Sequence, residues 1–218
     1  GVFVKRRLLS FLLALIFVLS VCLSMPITVS AEEYTSGDYT YTMSNSQATI
    51  TKASTDLSGS VSIPSSLNGY TVVAIGNSAF YENASITSVV IPNTVTTIGS
   101  YAFEGCSGIT NLTIGNKVTT IGYEAFRDCT GLKSVNIPNS VTSIDSSAFK
   151  YCTRITTVTI GTGLTEIPID CFSGCTSLET LNMGTNVTSI SSSAFYGCAA
   201  LSTINWGSSL KTIGNTAF

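Results

Sequence analysis

Phenylalanine recurs at Phe80, Phe103, Phe126, Phe149, Phe172, Phe195 and Phe218, always 23 residues apart. Isoleucine keeps the same step at Ile75, Ile98, Ile121, Ile144, Ile167, Ile190 and Ile213, and cysteine keeps it at Cys106, Cys129, Cys152, Cys175 and Cys198. Three residue types in phase over this length point to a stack of near-identical units, each packed against its neighbours in sequence.

With Ile86 as position one, the first full unit is ITSVVIPNTVTTIGSYAFEGCSG, four more follow, and a sixth, LSTINWGSSLKTIGNTAF, stops at Phe218. Its apolar positions are Ile86, Val89, Ile91, Val95, Ile98, Ala102, Phe103 and Cys106. Positions four and six alternate, as in a strand with one buried face. Val95 and Ile98 predict a second short extended segment. Ala102-Phe103 followed three residues later by Cys106 has the spacing of a helical or 3₁₀ turn. One unit cannot bury its apolar residues alone. Stacked units bury them by placing like on like at the strand spacing of ~4.7–4.9 Å.

The opening of each unit fits the pattern L-x-x-L-x-L of leucine-rich repeats. Position nine, usually Asn or Cys in that pattern, is here Thr94, Lys117, Ser140, Gly163, Asn186 and Ser209, so no asparagine ladder forms. Ile91-Pro92, Val95-Thr96, Ile98-Gly99, Ala102-Phe103 and Cys106 closely resemble the BspA-like leucine-rich-repeat surface proteins of bacteria and some protists, from about Val61 to Phe218. The resemblance implies a leucine-rich-repeat solenoid, a β-rich α/β right-handed superhelix, and a role in adhesion to host matrix proteins or other microbial cells. Position fourteen departs from a single pattern. It is Gly76, Gly99, Gly122 and Gly214, but Asp145, Pro168 and Ser191 elsewhere. Glycine suggests positive φ, which Pro168 cannot adopt. Either the turn does not need positive φ or the fourth unit, which also carries Cys171 in place of alanine, is the irregular one.

Residues 1–31 read as a secretory signal peptide. Lys5, Arg6 and Arg7 precede an apolar run from Leu8 to Leu23, and Val29-Ser30-Ala31 offers a cleavage site. Cys22 leaves a lipoprotein alternative, with bulky Val21 against it. Contact with a membrane is expected only through this segment during export, and the mature protein is expected to be secreted or held at the cell surface. Cleavage after Ala31 removes three basic residues and leaves seven basic against twelve acidic ones. Residues 32–60 predict an N-terminal β-hairpin cap: Tyr39, Tyr41 and Met43 alternate, Asn45-Ser46 turns, and residues 48–51 return. Residues 61–218 form the solenoid. It ends inside a repeat, which suggests a fragment of a longer protein.

The chain has no histidine, so Ser-His and Cys-His catalytic pairs and histidine-bearing zinc sites are excluded. A net charge of −2 and only 10 % charged residues argue against a nucleic-acid partner. Five cysteines in one register column read as a buried ladder. Parallel Cβ vectors suit disulfides poorly, although Cys171 and Cys175 remain a possible reactive or bonded pair. Glu124 and Asp128 lie four apart and are expected to be solvated rather than catalytic. No cofactor or metal is expected.

Positions three and five point away from the core. They carry Ser88 and Val90, Asn111 and Thr113, Ser134 and Asn136, Thr157 and Thr159, Thr180 and Asn182, Thr203 and Asn205. This nearly uncharged strip of hydroxyls and amides, expected on the concave face, is the candidate ligand-binding surface. The plainer reading is that Thr and Asn simply suit exposed strands. Trp206 is expected in the core of the sixth unit. Asn83-Ala84-Ser85, Asn111-Leu112-Thr113 and Asn186-Val187-Thr188 are N-glycosylation acceptors wherever the cell has that machinery. The expected function is non-catalytic recognition of a protein or glycan. A structural spacer, or the targeting module of a larger secreted enzyme, is the alternative.

Overall fold

The computed structural model describes residues 31–218. The signal-peptide reading of 1–31 therefore lies, but for Ala31, outside the described residues.

Each unit is a coil with three sides. The first side is a strand at positions three to six: β7 (Ile86–Val90), β9 (Asn111–Thr113), β11 (Ser134–Ile137), β13 (Thr157–Ile160), β15 (Thr180–Asn182) and β17 (Thr203–Asn205). The second is a two-residue strand at positions twelve and thirteen: β8 (Thr97–Ile98), β10 (Thr120–Ile121), β12 (Ser143–Ile144), β14 (Glu166–Ile167), β16 (Ser189–Ile190) and β18 (Thr212–Ile213). Partners in successive coils are parallel and offset by one repeat, as in Ser134↔Thr157 and Thr120↔Ser143.

The third side is not the helical turn that the spacing suggests, and no helix forms among the described residues. The expected α/β description is corrected to an all-β solenoid. Here the amides of positions 16, 18 and 20 donate to the carbonyls of positions 15, 17 and 19 in the next coil. Tyr101 bonds to Tyr123 at 2.9 Å, Phe103 to Ala125 at 2.8 Å and Gly105 to Arg127 at 2.9 Å. Turning the peptide planes this way puts positions 16 and 20 in the left-handed region: Tyr101 has φ 58°, Glu124 53°, Ser147 61° and Tyr151 60°. A non-glycine residue there carries local strain, which a repeated hydrogen-bond ladder offsets. The glycines at position fourteen are not among the positive-φ residues. A Cβ on Gly99 would come within 2.7 Å of the Gly76 carbonyl carbon, so glycine serves close approach between coils there.

Phenylalanine fills the centre. Successive rings from Phe80 to Phe218 stack 4.7–5.5 Å apart and within 14° of parallel. The repeat sets that spacing, because rings attached to coils one strand-width apart cannot stack more loosely without losing contact. Ile98, Ile121, Val95, Val118 and Ala125 are fully buried beside them.

At the N-terminal end, β1 (Glu33–Ser36), β2 (Tyr39–Ser44) and β3 (Gln47–Ala53) form an antiparallel meander. The β2–β3 hairpin turns at Asn45 and Ser46, both with positive φ, as the sequence predicts. β3 then lies parallel to β6 (Tyr70–Ile75) and completes the second ladder. The Tyr39 ring meets Phe80 edge-on at 6.3 Å and ends the aromatic stack. The first coil is longer than the rest. Its β4 (Gly59–Ser62) pairs Ser60 with Ser88, 28 positions on, whereas Ile75 pairs with Ile98, 23 positions on. The five extra residues form a hairpin between β5 (Ser66–Leu67) and β6, turning at Asn68 and Gly69 with φ of 48° and 87°.

The fourth unit is irregular at Pro168. The position-fourteen amide normally donates to position thirteen of the preceding coil: Gly122 to Ile98 at 2.8 Å, Asp145 to Ile121 at 2.8 Å, Ser191 to Ile167 at 2.9 Å. Pro168 has no N–H, and the second ladder breaks between β12 and β14. Asp145 and Ser191 carry a Cβ in the same column and keep their bonds, so the missing donor is the cause. A cleft of about 220 Å³ opens there, lined by Thr142, Ile144, Leu164, Thr165, Glu166 and Pro168.

Candidate functional site

The strip predicted from positions three and five faces outward along the first ladder. Asn111, Thr113, Ser134, Asn136, Thr203 and Asn205 are exposed, and Ser88, Thr157, Thr159, Thr180 and Asn182 are half-buried. The alternate positions Val89, Val135, Val158 and Leu181 are buried. Strand alternation places the two sets on opposite faces. Parallel pairing then aligns Ser134 with Thr157, Thr157 with Thr180 and Thr180 with Thr203.

Part of the strip bonds to itself. Asn205 Nδ2 donates to Asn182 Oδ1 at 2.7 Å, and Asn182 Nδ2 donates to Thr159 Oγ1 at 3.3 Å. Asn111 Nδ2 donates to its neighbour Thr110 at 3.1 Å. Ser88, Ser134, Asn136, Thr157 and Thr180 make no side-chain hydrogen bond of this kind, so the middle of the strip keeps unused donors and acceptors.

Two further threonine columns have a structural role. At position eleven, the hydroxyls of Thr96, Thr119, Thr142 and Thr188 each donate to the carbonyl one repeat earlier, over 3.0–3.4 Å. Thr110 and Thr156 do the same at position two. These hydroxyls reinforce the coil-to-coil ladder from outside the core.

The turn side holds the ion pairs. Arg127 lies 2.9 Å from Glu124, 3.2 Å from Asp128 and 3.9 Å from Glu104, and Lys150 lies 3.0 Å from Asp170. Glu124 is 7 % exposed. The expectation of a solvated Glu124 is therefore corrected: Arg127 folds over the carboxylate and shields it. Burial, with Glu124 and Asp128 adding to it, pushes the Glu104 carboxyl up. The sequence reading passed over this surface because its residues keep no fixed register. The signal was there in the variable positions 15, 16, 19 and 20, where charges and tyrosines gather.

The pattern of the BspA type leucine rich repeat region matches in six copies over residues 71–188 and 107–218. The chain belongs to the BspA-type leucine-rich-repeat family. Among solved structures, the T. pallidum leucine-rich repeat protein TpLRR is 25 % identical, with a TM-score of 0.75 over 84 % of this chain and 86 % of that one. A leucine rich cell surface protein of Faecalibacterium prausnitzii A2-165 is 35 % identical, with a TM-score of 0.75, and covers 87 % of this chain but only 52 % of its own. A leucine-rich repeat protein of Bacteroides ovatus is 26 % identical, with a TM-score of 0.61 over 83 % of this chain and 55 % of that one. No curated relative matches the chain.

The cysteine column of this BspA-type solenoid is a buried ladder, as the register implies, and its thiols also donate. Cys106 Sγ reaches the Phe80 carbonyl at 3.0 Å, and Cys129, Cys152, Cys175 and Cys198 repeat the contact one coil further at 3.1–3.3 Å. All six cysteines of residues 31–218 are free, Cys171 and Cys175 included. Burial pushes every thiol up, to about 12 for Cys106 and about 11 for half-buried Cys198. Thiols held protonated in this way are poor nucleophiles. Trp206 is not in the core as expected. It is exposed and packs edge-on against Phe218 at 6.1 Å.

Proposed function

We propose that this BspA-type solenoid is a non-catalytic recognition protein, secreted or displayed at the cell surface, that adheres to a protein or glycan through the strip on its first ladder. The observation that carries the reading is the strip itself: an uncharged row of hydroxyls and amides from Ser88 to Asn205, accessible in every coil and held in register by parallel pairing within β7–β9 and within β11–β17. Such groups donate to and accept from peptide carbonyls and sugar hydroxyls. Each contact is weak, and repetition supplies avidity. Host matrix proteins and microbial surface proteins or glycans are the partner classes. The F. prausnitzii relative, described as a cell surface protein, supports the location.

A second reading, a spacer or targeting module, draws on the Asn205–Asn182–Thr159 chain, whose groups are partly spent on one another. One variant separates the two. Thr157→Lys with Thr180→Glu and Thr159→Glu with Asn182→Lys place opposite charges on paired strands, so the ladder is not strained by repulsion. Binding to matrix proteins and glycans in a panel is expected to be lost, with an unchanged unfolding midpoint. Binding that survives this set removes the strip as the site, and a chain that binds none of the panel is a spacer.

A further inference from the structure

Each coil from Phe80 to Phe195 places one large side chain on the outer surface of the turn side: Tyr81, Tyr101, Tyr123, Tyr151, Ile169 and Tyr196. The position shifts among 15, 16, 19 and 20, unlike the core phenylalanines, which never leave position eighteen. Core packing therefore does not account for the row. Five of the six are 36–59 % exposed. The other exposed large apolar residues among those described are Val90 on the strip and Trp206, Ile213 and Phe218 in the sixth unit. Surface tyrosines scattered singly need no explanation, whereas one per coil in an unbroken series is an extended contact surface.

The charges around the row decide what suits it. Glu82, Glu104, Glu124, Asp128 and Asp170 outnumber Arg127 and Lys150. Both cations are already engaged by carboxylates, and both also lie over a tyrosine. Arg127 Cζ is 5.7 Å and Lys150 Nζ 5.3 Å from the centre of the Tyr151 ring. The surface thus displays, within the chain, the contact that a cationic side chain makes with an aromatic face. Tyr81 and Tyr196 have exposed rings and no such cation over them.

We propose that the turn side is a docking surface for an arginine- or lysine-rich segment of another protein, whose cations lie over the exposed tyrosine rings and pair with the carboxylates in excess. This surface is separate from the strip, and the two stand or fall independently.

Titration calorimetry of the full chain with hexaarginine tests it, with hexaglutamate and maltohexaose as the comparison probes. Hexaarginine is expected to bind, and to bind several-fold more weakly at 0.5 M than at 0.05 M salt. Tyr81→Ser and Tyr196→Ser are each expected to weaken it about threefold. Lys150→Gln, which frees Asp170 and one face of Tyr151, is expected to tighten it about threefold. A variant that merely damaged the fold would move the other way. Thr159→Val on the strip is expected to leave hexaarginine binding unchanged. The proposal is overturned if hexaarginine binds no better than hexaglutamate, if the tyrosine variants bind it normally, if Lys150→Gln fails to tighten it, or if maltohexaose proves to be the probe that those tyrosines hold.

Discussion

The three sides of the coil are not continuous to the same degree. The first ladder is interrupted once, between β9 and β11, and the second once, between β12 and β14. The turn side has no interruption. At the junction where the second ladder fails, Ser147 still bonds to Ile169 at 3.0 Å, Phe149 to Cys171 at 2.9 Å and Tyr151 to Ser173 at 2.8 Å. The rings of Phe149 and Phe172 stay stacked there at 5.4 Å. Regular strands are thus the part of this solenoid that tolerates a break, and the irregular turns carry continuity. The turn side joins backbone bonds, a ring stack and a thiol ladder at every coil, whereas two-residue strands depend on two or three amides that a single proline can open.

The largest expected effect comes from titrating the turn side. Burial makes its thiols hold their protons in the folded chain, to about 12 for Cys106 and about 11 for Cys198, with Cys129 and Cys152 also pushed well above the value of about 9 for an exposed thiol. The folded state therefore binds these protons more tightly than the unfolded one. Stability is full below pH 9 and falls as the pH rises towards the folded values. Denaturant midpoints are expected to be level to about pH 8.5 and to drop steeply above 9.5, with cooperative unfolding in strong alkali. Cys129→Ala with Cys152→Ala should flatten that slope. A slope unchanged by the double variant would take the thiols out of the account.

Next in size is truncation of the stack at the broken junction. Phe149→Ala is expected to cost about 3–5 kcal/mol in urea unfolding, because parallel rings on either side prevent the cavity from collapsing. Ile144→Ala, on the opened side of the same coil, is expected to cost less, near ~2 kcal/mol, since its cavity merges with the existing cleft. The reverse order would mean that the second ladder, broken or not, holds the coils together.

The columns that repeat every 23 residues were legible in the sequence because burial makes one residue type serve every coil. Phe103, Ile98 and Cys106 announce the core, and the alternation of Val89 and Ile91 announces the first ladder. The turn side was misread as helical, since Ala102-Phe103 and Cys106 sit at a spacing that a helix shares. Its true signature, positive φ at positions 16 and 20, falls on Tyr101, Glu124, Ser147 and Tyr151 and is marked by glycine only at Gly105, Gly174 and Gly197, position 20 of three coils. The glycines that did stand out, such as Gly99, answer to close packing instead. Outward residues of the strip were placed by alternation alone. Its hydrogen-bond chain from Asn205 to Thr159 was not visible, because side chains one repeat apart meet only once the register is known.

The smallest effect is the most local. Pro168→Ser returns an amide to a column where Ser191 already shows the bond being made, 2.9 Å from the Ile167 carbonyl. The restored bond contributes about 1 kcal/mol, and loss of the proline's restriction on the unfolded chain takes back about as much. Global stability is therefore expected to move by less than ~1 kcal/mol. Hydrogen exchange reads the change instead: the amide of Thr165 should gain protection as the coils close on the cleft, and the amide newly present at position 168 should exchange slowly, while Phe149 and Tyr151 on the turn side exchange as before. If protection at Thr165 does not rise, the missing donor is not what parts the coils, and the break belongs to the fit of the fourth unit as a whole.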